Sequence, residues 1–169
     1  FAIRLAPVVF ANQLALDKTL PTPGGSANGT APDGTPLVTV AQPFIDGLSE
    51  QTAFGNVVRI TLWDYTDPAN PRLIGGYDPA NAATDIAANR TDSFGKFAVQ
   101  VNAGGFTTNG KKTIGVQATD LSGTQGNIAL FTFTLKANLS NINQPPAIPT
   151  IGMNPSDDTS GGLLITRTK

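Results

Sequence analysis

The stretch VVRITLWDY, Val57 to Tyr65, alternates residue character with a period of two, which places Val57, Arg59, Thr61 and Trp63 on one face of a β-strand. Three further runs have the same character: GKFAVQV (Gly95 to Val101), TIGVQAT (Thr113 to Thr119) and IALFTFTL (Ile128 to Leu135). LVTVA (Leu37 to Ala41) and RLIGGY (Arg72 to Tyr77) are weaker members of the set. Gly, Pro, Asn or Asp interrupts the apolar runs about every 8 to 12 residues, and no 3.6-residue period is sustained. The chain therefore reads as all-β. Asn109-Gly110 predicts a tight turn entering the strand at Thr113, with Lys111-Lys112 on a solvated loop beside it. Tyr77 to Asp92, polar and rich in Ala and Asn, fits either a loop or a single helical turn.

Two Pro/Gly/Ser/Thr stretches bracket these strands: LPTPGGSANGTAPDGTP (Leu20 to Pro36) and NLSNINQPPAIP (Asn138 to Pro149). Both read as linkers. Residues 35–137 between them are about the size of a seven-stranded immunoglobulin-like β-sandwich. Residues 1–34 read as a terminal strand of a preceding module, or an exchanged strand, followed by a linker. Residues 138–169 read as a second linker and the start of a following module.

Composition removes most chemistry. The 169 residues include no His and no Cys, so the commonest general base, the commonest zinc ligands, thiol nucleophiles and disulfides are all missing. With 11 Lys plus Arg against 12 Asp plus Glu, the net charge of −1 gives no footprint for nucleic acid or an anionic membrane surface. Only 14% of residues are charged, and the 18 Gly and 13 Pro suit an extracellular β-protein. No apolar run reaches the roughly 18 to 20 residues of a membrane-spanning helix. Phe1 to Leu20 lacks the charged start and cleavage site of a secretory signal, and an initial Phe fits a processed product or an excised piece.

The ends of the chain repeat one another. Phe1-Ala2-Ile3-Arg4-Leu5 has the alternation of Phe131-Thr132-Phe133-Thr134-Leu135, and Leu14-Ala15-Leu16-Asp17 is echoed by Ile151-Gly152-Met153-Asn154. A Ser/Gly-rich stretch follows each echo, as expected if one junction between modules occurs twice. Thr91 to Leu135 resembles the second half of bacterial Ig-like repeats in giant surface adhesins, its pattern falling on Asp92, Gly95, Gly110, Ala118-Thr119-Asp120 and Gly126-Asn127. Pro43-Phe44-Ile45-Asp46-Gly47 resembles the early strand-and-turn motif of that family more loosely, and PAIPTIGMNPSDDTSGG resembles the opening of a repeat. The resemblance covers about two thirds of the chain. It implies a secreted stalk or adhesin module, arrayed in copies and often stiffened by calcium, although no DxDxDG-type ligand loop is present.

Calcium takes six to eight oxygens, so its candidate ligands are Asp92 with Asp120 and Asp157 with Asp158. The alternative is that Asp92 and Asp120 open turns by accepting nearby backbone N–H groups. No other cofactor is expected. Trp63, Tyr65 and Tyr77 form a candidate sugar-contact set, against the alternative that Trp63 is the core tryptophan of a sandwich and the tyrosines cover a sheet edge. The segment FAIRLAPVVF, with Phe1, Ile3, Leu5, Val8, Val9 and Phe10, is apolar enough to need cover from its own sandwich or from a neighbouring copy. The expected function is therefore a non-enzymatic spacer and load-bearing repeat of an extracellular fibre or adhesin, with adjacent modules or copies as partners. A filament subunit polymerising by strand exchange and a carbohydrate-binding module are the alternatives.

Overall fold

The computed structural model describes residues 5–16, 29–50 and 57–137. Phe1, Ile3, Asp157, Asp158 and the whole of 138–169 lie outside the described residues. The described chain is all-β, built as two sheets around one core.

Among the described residues, eight strands occur in chain order: β1 (Ala15–Leu16), β2 (Leu37–Val38), β3 (Phe44–Leu48), β4 (Arg59–Asp64), β5 (Arg72–Gly76), β6 (Lys96–Gln100), β7 (Gly110–Thr119) and β8 (Gln125–Leu135). One sheet has the order β2-β8-β7-β4-β5 and the other β1-β3-β6. Period-two alternation sorts the larger sheet's side chains. Ile60 and Leu62 of β4, Ile114, Val116 and Ala118 of β7, and Ala129, Phe133 and Leu135 of β8 are buried in the core. They meet Ile45 of β3 and Phe97 and Val99 of β6 from the smaller sheet. Phe133 anchors this layer, edge-on to Phe106 with ring centroids 5.8 Å apart.

β2 runs parallel to β8, pairing Leu37 with Thr134 and Val38 with Leu135; every other strand pair is antiparallel. A second join comes from the chain start. Val9 bridges Ser49 just beyond β3, the turn Ala11–Gln13 follows, and β1 then pairs with β3. Val9, Leu14 and Leu16 all belong to the core cluster. A boundary at residue 35 therefore leaves out a segment, hereafter the strap (residues 7–16), that fills this sandwich. A two-residue strand is too short to carry a periodicity, which is why the pattern does not announce it.

All six expected strands are present, with three adjustments. β7 begins at Gly110, earlier than Thr113, and Gly110 takes φ +113°, which its lack of a side chain permits. Lys112 is consequently not on a solvated loop: it lies inside β7, 5% exposed, with its Nζ donating to Thr108 Oγ1 at 2.8 Å. Tyr77 to Asp92 contains two short 3-10 turns, Ala82–Thr84 and Ala87–Asn89.

Candidate functional site

The terminal segments enter and leave the sandwich through two side-chain clamps. At the entry, Asn127 accepts the Val9 N–H on Oδ1 at 2.9 Å and donates Nδ2 to the Val9 carbonyl at 3.2 Å. The amide of one asparagine thus substitutes for a neighbouring strand. Phe10 N–H to Leu48 O (3.1 Å) and Glu50 N–H to Val8 O (2.7 Å) hold the other edge of the same segment. Gly126 is needed beside it, because any Cβ there would collide with the Pro7 carbonyl. At the exit, Asn109 repeats the device on Ala137, donating Nδ2 to its carbonyl and accepting its N–H, both at 2.9 Å. Asn109 therefore does more than form the expected turn with Gly110.

Between the clamps lies the parallel pair. Thr134 N–H donates to Pro36 O at 2.9 Å and Lys136 N–H to Val38 O at 2.7 Å. The hydroxyls of Thr35 and Thr134 meet at 2.7 Å across the same seam. The turn before β2 is set by Asp33, whose Oδ1 accepts both the N–H and the hydroxyl of Thr35.

The proposed calcium pair is occupied with its own backbone. Asp92 Oδ1 accepts the N–H groups of Phe94 and Lys96 at 2.8 and 2.9 Å, and Asp120 Oδ1 accepts those of Ser122 and Thr124, both at 2.8 Å. Each loop closes identically, with the aspartate N–H donating four residues ahead and a glycine at the fourth position in positive φ. These are hairpin loops of the form D-x-x-G, and the turn-forming alternative describes them. Burial pushes the Asp120 carboxyl up, but hydrogen bonds from Ser122 and Thr124 outweigh it and hold it below the usual range. Among the described residues, no three acidic side chains gather where they could hold a metal ion.

The aromatic set is divided. Trp63, half-buried, faces Gly115 of β7 on the outer face of the larger sheet, and its Nε1 is buried without a hydrogen-bond partner. The Tyr65 ring covers Gly115 beside Ile128, filling the space a side chain there would take. Leu130, 53% exposed, shares this outer face, an apolar patch that the list of aromatic residues does not reveal. Tyr77 lies elsewhere, under the Arg59 guanidinium at 4.9 Å. Arg59 also pairs with Asp85 at 2.8 Å and donates to Asp120 O at 2.9 Å, while Arg90 pairs with Asp85 at 2.8 Å. This latch ties loop 82–90 to β4: Asp85 and Arg90 lie five residues apart in the loop, and Arg59 joins them from 26 residues before Asp85. Arg59, and after it Arg90, hold the Asp85 carboxyl well below the usual carboxylate range.

Of the proposed assembly residues, Val9 is covered by its own sandwich at 2% exposure, Val8 is half-buried and Phe10 lies at the edge. Leu5 is 71% exposed. A groove of about 780 Å³ is lined by Asp46, Gly47 and Ala98 of the smaller sheet together with Arg90, Asp92 and Lys96, mixed in charge.

Compared with family models, curated proteins and solved structures, the chain matches none at a significant level. Its function has to be argued from its own geometry.

Proposed function

We propose that this chain is a load-bearing spacer, an immunoglobulin-like module of an extracellular bacterial fibre or adhesin. The observation that carries this reading is the parallel pairing of β2 with the end of β8. Tension that has passed the strap reaches β2 from its N-terminal side and β8 from its C-terminal side, and pulls the two in opposite directions along a common axis. In that geometry Thr134 N–H to Pro36 O and Lys136 N–H to Val38 O share the load and must fail together. An antiparallel pair loaded at one end opens a bond at a time instead. Each bond contributes only about 0.5–1.5 kcal/mol at equilibrium. Shear turns these small terms into a cooperative barrier, with Val38 and Leu135 leaving the core in the same event. The absence of His and Cys and the resemblance of Thr91 to Leu135 to adhesin repeats support a mechanical rather than a catalytic role.

Because the chain has no cysteine, thiol handles can be placed without ambiguity. Pulling between Pro32→Cys and Lys136→Cys loads β2 against β8 in shear. Pulling between Lys111→Cys and Lys136→Cys opens the β7/β8 hairpin from its free end, where Lys111 pairs with Thr134. Single-molecule extension should give a severalfold higher rupture force for the first pair. Equal forces would remove the reading.

A further inference from the structure

We propose that Asn109 is a modification site: a spontaneous deamidation, held in check by the exit clamp, that turns an opening of that clamp into a permanent one. The observation behind it is a juxtaposition. Asn109 is followed by Gly110, and its carboxamide holds Ala137 by both ends, donating Nδ2 to the carbonyl and accepting the N–H on Oδ1, each at 2.9 Å. Asparagine is at its most labile before glycine, because no Cβ shields the following backbone nitrogen. The reaction needs only water and base. Base removes the proton of the Gly110 N–H, and the nitrogen attacks Asn109 Cγ. The Cγ–Nδ2 bond breaks, Nδ2 leaves as ammonia with a proton from solvent, and a five-membered succinimide remains. Water then opens the ring at Cγ to give aspartate, or at the backbone carbonyl to give isoaspartate, whose main chain runs through the side-chain carbon.

The clamp restrains the first step. Ring closure needs Asn109 Cγ to swing onto the Gly110 nitrogen, and both polar atoms of that carboxamide are fixed to a residue 28 positions away. Asn109 is exposed, so solvent reaches it and the clamp, not burial, is the restraint. Neither member of the pair is free to change: Asn109 makes the clamp, and Gly110 takes φ +113°, which residues with side chains rarely adopt. The entry clamp gives the contrast. Asn127 grips Val9 with the same two bonds, but it precedes Ile128, whose β-branched side chain crowds the attacking nitrogen. One device is thus durable at the entry and perishable at the exit. Deamidation removes the donor, leaving a carboxylate oxygen against the Ala137 carbonyl, so the clamp cannot close again. The change lies next to the Lys136 N–H to Val38 O bond that ends the β2/β8 seam. It needs no tension, and stands whether or not the chain bears load.

The test follows two rates in the 169-residue chain, folded and in guanidinium, in one mildly alkaline buffer. Peptide mapping by mass spectrometry gives deamidation at Asn109, and Asn28, in the chain's other Asn-Gly pair, supplies the reference rate in guanidinium. Hydrogen exchange of the Ala137 N–H, the proton that the clamp holds, reads clamp opening directly. In guanidinium Asn109 and Asn28 should convert equally fast. Folding should slow Asn109 by about tenfold or more, as two ordinary hydrogen bonds imply. The same factor should describe Ala137 exchange, because one opening admits both reactions, and Asn127 should stay intact throughout. Folded-state deamidation at the guanidinium rate, or slowed by a factor well away from that of Ala137 exchange, would overturn the proposal. Asn109→Asp, which carries the aspartate product from the start, should speed exchange at Ala137 while Val9, held by Asn127, stays protected. Unchanged exchange at Ala137 in that variant would remove the permanent release. The comparison of rates in the unmodified sequence needs no variant, so it decides the matter even where Asn109→Asp fails to fold.

Discussion

In the larger sheet β7 and β8 run side by side from Gly110–Leu135 to Thr119–Gln125, whereas β1 meets β3 only at Ala15–Asp46 and Leu16–Ile45. The first pairing is held by a long backbone ladder and a continuous apolar row beneath it. The second depends on a few buried side chains, an asparagine clamp and a glycine that makes room for a carbonyl. Cohesion spread along a ladder tolerates the loss of one contact, while cohesion concentrated in a clamp does not.

The largest expected effect is in the ladder's own core. Phe133→Ala removes a fully buried ring packed against Phe106 and Phe131, and should cost about 3–5 kcal/mol in urea unfolding. Phe97→Ala, in the smaller sheet beside Leu14 of the strap, should fall near the low end of that range, because the strap can settle into the space and the sheet core cannot. If Phe97→Ala proves the costlier of the two, the strap is as rigid as the ladder and the contrast fails.

How much of this was legible in the sequence follows the same division. The runs at Val57, Gly95, Thr113 and Ile128 show their strands because one face is apolar and the other is not, so periodicity survives without knowledge of the partner strand. Asp92 and Asp120 were readable as turn residues because the bonds that fix them lie within four residues. The strap was readable only as a segment needing cover, since its partners Ser49 and Asn127 are 40 and 118 residues away. The parallel direction of β2 and the Arg59–Asp85–Arg90 latch leave no local trace either: both are products of how distant segments meet. Trp63, Tyr65 and Tyr77 looked like a group because they are near in sequence, yet Tyr77 ends under Arg59.

A sharper probe of the clamp is Gly126→Ala. The added methyl meets the Pro7 carbonyl, a backbone atom that cannot swing aside, so the strap must shift and draw Val9 away from Asn127. The cost should be about 1–3 kcal/mol. Its distribution matters more than its size: amide exchange should accelerate at Val9, Phe10 and Glu50 and stay slow through β7 and β8. Uniform acceleration would show that strap and ladder open as one unit.

The smallest effect concerns the latch and appears only in acid. Asp85 is held ionised by Arg59 and Arg90, so its folded-state carboxyl titrates below its unfolded-state value. The unfolded chain then binds the proton more readily, and stability falls as pH drops through and below the ordinary aspartate value of about 3.9. Above that value the contribution is complete and flat. Asp85→Asn should lower stability at neutral pH by about 1 kcal/mol, discounted for partial exposure, and should flatten the acid side of the stability profile. An unchanged acid limb in Asp85→Asn would assign the acid sensitivity to Asp120 and Asp33, whose carboxyls are held below the usual range by hydrogen bonds from Ser122, Thr124 and Thr35 instead of by arginines. Because the latch fastens loop 82–90 to β4, which β7 separates from the β2/β8 seam, its loss should leave the shear force between β2 and β8 unaltered.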